Sequence, residues 1–134
     1  MRYLLDTNVL SDLVRQPQGR IARRIAAVGE DVVCTSIVVA CELRFGAQRK
    51  GSGRLIAQVD AVLGALVVLP IEAPFDRRYG EVRAALEQRG RVIGAMDLLI
   101  AVQALELGLT VVTANLREFR QVSELLVENW LAAA

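Results

Sequence analysis

The sequence predicts an α/β fold, a three-layer α/β/α sandwich around a short, mainly parallel central sheet. Two observations lead there. Short apolar runs of strand length alternate with segments of helical period. No internal repeat, low-complexity tract or linker interrupts that alternation along the 134 residues, so residues 1–134 read as a single domain. In such sheets the functional crevice lies beyond the carboxyl ends of the strands, and side chains placed there carry the functional argument.

The first strand is expected over Tyr3 to Asp6, followed by Thr7-Asn8, which can cap a helix beginning near Val9. Ile21, Ile25 and Val28 recur at spacings of four and three and mark the next helix, ahead of a strand over Val32 to Thr35. Ser36 to Glu42 opens another helix, and Leu55, Ile56, Val59, Val62, Leu63 and Leu66 form an amphipathic stripe before a strand over Val67 to Ile71. Phe75, Tyr79, Val82 and Leu86 give a further stripe, opened by Pro74 and closed by Gly90. Ala95 to Leu107 is apolar nearly all round and ends at Gly108, as expected of a central helix packed on both sides. Strands over Thr110 to Thr113 and, more weakly, Val127 to Trp130 complete the pattern.

Composition narrows the chemistry. The chain has no histidine, which removes the Ser-His-Asp triad, the Cys-His pair, His-ligated zinc and a histidine general base. An enzyme built from this sequence works with carboxylates. Cys34 and Cys41 have no other soft ligand nearby and read as two buried free thiols. Sixteen basic against fifteen acidic side chains leave a net charge of +1, so bulk electrostatics makes no case for nucleic acid. Lys50 is the only lysine, the other cations being arginines. The apolar fraction of 54% is high, yet charges cut every apolar stretch short of the ~20 residues of a membrane span. The surplus suggests a large core plus an apolar surface that a partner covers. The start of the chain has too short an apolar run for a secretory signal, so a cytoplasmic protein is expected.

The acids fall at telling places. Asp6 ends the first apolar run, where a cap or turn role is also open to it. Glu42 is the only charge between Asp31 and Arg44, and Asp97 is the sole charge in the run from Ile93 to Val102. A first-turn aspartate needs no function, being worth ~0.3–1 kcal/mol against the helix dipole, but that does not explain its apolar enclosure. Asn115 and Glu118 follow the Thr110 to Thr113 strand, where Asn115 could also be a turn residue or cap. Together these groups would meet at one crevice with no lysine nearby. Two carboxylates ~5 Å apart repel by about 3 kcal/mol at an effective dielectric near 20. A hard divalent ion compensates such a cluster and supports hydrolysis.

Asp6-Thr7-Asn8 after a short strand, Ser36 to Glu42 opening a helix, Asp97-Leu98-Leu99-Ile100-Ala101, and Thr113-Ala114-Asn115-Leu116-Arg117-Glu118-Phe119 resemble the PIN-domain nucleases. Within that family the chain is similar to the VapC-type toxins of toxin–antitoxin pairs, over essentially its whole length. The resemblance implies a Mg²⁺- or Mn²⁺-dependent endoribonuclease that is commonly dimeric and held inactive by a cognate VapB-type antitoxin. Asp6, Glu42 and Asp97 match the acidic triad, which would hold the metal. The usual fourth acid falls at Asn115, an amide here, so Asn115 or Glu118 would hold the water shell. Thr113 matches a supporting hydroxyl, and Asn8 belongs to the first motif. RNA is the expected substrate, with transfer RNA suggested by the family and unstacked loops by their accessibility. Arg44, Arg49 and Lys50 beyond Glu42 are candidate phosphate contacts, and equally ordinary solvated helix residues.

Three other readings fit less well. A phosphoaspartate phosphatase needs a second aspartate two residues after the first, where this chain has Asn8. A receiver domain needs a lysine after a later strand, and an Asp/Glu-X-Lys nuclease needs a motif the lone Lys50 does not complete. The non-enzymatic alternative is a silent PIN-like RNA-binding module that has lost its fourth acid.

Overall fold

A computed structural model describes residues 1–132; the last two positions of the expected 1–134 domain lie outside the described residues. Five strands form one sheet: β1 (Tyr3–Leu5), β2 (Val33–Ser36), β3 (Val67–Leu69), β4 (Thr110–Val112) and β5 (Val127–Glu128). Their order is β3-β2-β1-β4-β5, and every pairing is parallel. Among the described residues, seven α-helices accompany them: α1 (Thr7–Arg15), α2 (Arg20–Val28), α3 (Ile37–Lys50), α4 (Gly53–Gly64), α5 (Phe75–Gln88), α6 (Ala95–Leu107) and α7 (Leu116–Phe119). Helices α1 to α4 pack among themselves, as do α5 to α7. Right-handed crossovers along this strand order put the two groups on opposite faces, giving the expected three layers.

The central strands are fully buried, with Leu4, Leu5, Val111 and Val112 at 0% exposure, as a sheet covered on both faces requires. The chain leaves β1 for the α1 side and β4 for the opposite side. Their neighbouring carboxyl ends therefore form the switch point where such sheets open a crevice.

The strands are shorter than the apolar runs. Pro70 lacks an amide hydrogen and ends β3 before Ile71. The first helix also begins two residues earlier than expected: Asp6 is its cap, accepting from the Thr7 amide, in place of Thr7-Asn8. The thiols differ from expectation too. Cys34 is buried, and burial pushes its thiol up to about 11, but Cys41 lies on an exposed face of α3. That helix buries its opposite side, through Val39 and Leu43, so Cys41 points away from the core.

Two glycines test the backbone argument in opposite directions. Gly108 closes α6 in the left-handed conformation at φ +69°, whereas Gly80 lies inside α5 with open space where a Cβ would stand. In urea unfolding, Gly108→Ala is expected to lower stability by about 1 kcal/mol and Gly80→Ala to raise it by about 0.5–1 kcal/mol.

Candidate active site

Asp6 stands one residue beyond β1, its amide still donating to the carbonyl of Val112 at 2.9 Å. It is only 3% exposed, so its carboxylate needs donors. One oxygen accepts from the Thr7 amide at 2.8 Å. The other accepts from the Thr113 hydroxyl at 2.7 Å and from the Asn8 side-chain amide at 3.1 Å. Asn8 also accepts from the Ala114 amide at 2.9 Å, joining the segment after β1 to the segment after β4. Burial raises the Asp6 pKa, and the three donors work against that rise.

Three further acids face this carboxylate. Glu42, half-buried on α3, accepts from the Thr7 hydroxyl at 2.6 Å, which brings α3 to the start of α1. Asp97 lies in the first turn of α6. Its pKa is pushed up to about 6, first by burial and then by the negative charges of Asp6, Glu118 and Glu42. Glu118, on α7, accepts through one oxygen from the Gly94 amide at the start of α6. Asn115 presents its side-chain amide to Asp97 at 3.4 Å and to Glu118 at 3.5 Å. Its backbone amide donates to the Thr113 hydroxyl at 3.0 Å, so it serves as a turn residue and makes no side-chain cap on α7.

The sequence-selected Asp6, Asn8, Glu42, Asp97, Thr113, Asn115 and Glu118 are thus brought to one crevice. Sequence reasoning gave Thr7 only a capping role and missed its bond to Glu42, for which a lone threonine beside an aspartate carries no signal. Two of the expected cations separate. Arg44 is drawn into an ion pair with Asp60 of α4, whereas Lys50 lines the same groove as Glu42. A lysine therefore does stand along a groove that begins at the cluster, because α3 carries Lys50 two turns beyond the acid.

Among the described residues, no three acidic or thiol side chains are closed to the spacing of a preformed metal site. The acids nevertheless suit a hard divalent cation: their carboxylate oxygens gather at one place, and burial, followed by the negative charges of Asp6, Glu118 and Glu42, raises the Asp97 pKa. Such ions commonly take one or two carboxylates directly and reach the others through water.

The PIN domain family matches residues 3–125. Among similar proteins is "Ribonuclease VapC2" of Rickettsia felis, 32% identical over 132 residues, covering 97% of this chain and 98% of the relative. Another is "tRNA(fMet)-specific endonuclease VapC" of Shigella flexneri, 30% identical over 131 residues, covering 97% and 98%. Among solved structures, VapBC2 from Rickettsia felis bound to a promoter DNA fragment superimposes with a TM-score of 0.90 at 31% identity, covering 97% of this chain and 99% of that one.

The Asp97 carboxyl has a consequence for the metal-free fold. Its folded-state pKa of about 6 exceeds the ordinary 3.8, so the folded chain holds the proton more tightly. Stability then falls as pH rises from about 4 to 6, and the full cost is present above that window. In EDTA at pH 7, Asp97→Asn is expected to raise the melting temperature by about 2–5 °C, corresponding to ~1 kcal/mol after discounting for solvent screening. At pH 4 the two proteins should melt together; equal melting at both values would count against the charge cluster.

Proposed function

The chain belongs to the PIN domain family, and on that footing we propose that it is a divalent-metal-dependent endoribonuclease, the toxin of a toxin–antitoxin pair. The observation that carries this reading is the meeting of Asp6, Glu42, Asp97 and Glu118 around one crevice with their charge uncompensated. In this reading Asp6 and Asp97 hold the cation directly or through one water, with Glu42 assisting. Mg²⁺ is the ion we propose, with Mn²⁺ able to replace it, since the donors are hard oxygens. A cation held by these carboxylates would lower the pKa of water and stabilise charge on a phosphoryl oxygen.

The chain's own groups supply the rest. Glu42 has one oxygen engaged by Thr7 and can use the other to accept a proton from the attacking water. The new bond to phosphorus forms as the bond to the departing oxygen breaks in line with it, and the departing oxygen takes up a proton from solvent water. Thr113 and Asn8 hold Asp6 in place, and the Asn115 side-chain amide donates to Asp97. Asn115, at the position of the family's fourth acid, supplies a donor to Asp97 and Glu118 in place of a further negative charge.

Transfer RNA is the substrate we favour, following the name of the Shigella relative, cut where its bases are unstacked. A VapB-type antitoxin is the inhibitory partner, in keeping with the Rickettsia complex. An apolar cavity of about 350 Å³ between α1, α2 and α4, with Leu13, Ile25, Val62 and Leu66 in its wall, suits an amphipathic helix of that partner. The exposed Ile37, Phe45 and Val67 leave further apolar surface for a homodimer. Among the described residues, no helix is long and apolar enough to cross a membrane.

The test uses protein freed of antitoxin. Asp6→Asn should lower RNA cleavage by at least about 100-fold, and Asn115→Ala by about 10–100-fold, as for groups that support metal ligands. Millimolar Mg²⁺ should raise the melting temperature of the wild type and leave that of Asp6→Asn nearly unchanged. A silent binding module would show neither cleavage nor metal stabilisation.

A further inference from the structure

A groove of about 300 Å³ runs between α1 and α3, with α4 beneath it. Thr7 and Glu42 line it at the acid cluster, Ser11 lies one turn further along α1, and Arg15, Arg49 and Lys50 line its far part. The electrostatic character therefore reverses along a single groove. Arg49 and Lys50 stand seven and eight residues beyond Glu42, and Arg15 eight beyond Thr7, which places their backbone positions ~10–12 Å further along the helices at 1.5 Å per residue.

These cations differ from their neighbour in what holds them. Arg44, on the same helix, is paired with Asp60. Arg49 lies over the ring of Phe45 at 5.4 Å, an arrangement that leaves its charge uncancelled, and no acid pairs with Arg49 or Lys50 among the described residues. Arg15 reaches Asp12 only at 3.6 Å and stays largely exposed. Closing an α-helix with Arg49 and Lys50 does favour its dipole, but that effect does not require a third cation from α1 on the same groove.

We propose that the far part of this groove is a phosphate subsite: Arg15, Arg49 and Lys50 hold the RNA backbone about two or three nucleotides from the bond being cut. The proposal rests on the ribonuclease reading of the acid cluster and adds to it a direction for the strand. The four carboxylates repel a polyanion wherever the cation does not offset them, so cations set apart from the acids add attraction that the crevice itself does not supply. The groove supplies that place and leads to Glu42. Because the contacts are to phosphates, they position the strand and carry no base preference. The three residues are positioning groups and take no part in bond breaking.

Binding of a fluorescent single-stranded RNA, followed by anisotropy in EDTA over a range of NaCl, tests the subsite without cleavage. The double variant Arg49→Gln/Lys50→Gln should weaken binding and reduce the slope of log affinity against log salt by about 1.4, since each lost phosphate contact on a single strand contributes about 0.7. Arg44→Gln should leave the slope unchanged. In cleavage with Mg²⁺, the double variant should raise KM about tenfold or more with kcat nearly intact. An unchanged slope in a double variant that melts like the wild type overturns the subsite. So does a double variant whose binding to the antitoxin falls while its RNA slope stays put, which would make the groove a peptide site. The ribonuclease reading fails separately, through full cleavage by Asp6→Asn.

Discussion

The bond from the Thr113 hydroxyl to the Asp6 carboxylate is the contact on which the rest of the crevice depends. Asp6 and Thr113 are 107 residues apart, at the ends of β1 and β4, two strands that are neighbours in the sheet and far apart in sequence. An almost fully buried carboxylate at that junction is tolerable only with donors, and Thr7, Asn8 and Thr113 provide them. Two of these donors also place the neighbouring side chains of the crevice. Thr113 accepts from Asn115, which sets that amide against Asp97, and Thr7 donates to Glu42, which fixes α3 against α1.

Much of this was legible in the sequence because burial leaves a mark on composition. Asp97 is conspicuous as a single charge within ten otherwise uncharged residues, and Asp6 as the polar end of an apolar run. The alternation of short β-branched runs with helical stripes defined the layers, since strands covered on both faces must be apolar throughout. The ends of elements were less legible. Asp6 ends its strand by capping the next helix, and a sequence alone does not choose between Asp6 and Thr7-Asn8 for that role when all are good caps.

Side-chain partnerships were the least legible. Nothing in the order of residues shows that Arg44 meets Asp60, or that Lys50 returns to the groove of Glu42, because both depend on how α3 sits against α1 and α4. The exposure of Cys41 has the same origin. Its neighbours Ala40 and Leu43 are buried, but the rotation of α3 about its axis is set by packing on β2, β3 and α4, and leaves position 41 outside.

A net charge of +1 conceals a strongly polar arrangement. Acids gather where β1 and β4 end, and cations gather two helical turns away, so each group can act without cancelling the other. Mixing the two sets would have relieved the repulsion that adds to burial in raising the Asp97 pKa, and it would also have weakened the attraction for a cation. The chain has no histidine to carry a proton near neutral pH, so unrelieved carboxylates are the groups through which it can recruit a divalent ion and accept a proton. The cost of holding them together without the ion is accordingly borne by the hydrogen bonds of Thr7, Asn8 and Thr113. Those residues belong to the chemistry by making the acids' proximity sustainable, although none of them need touch a reacting atom.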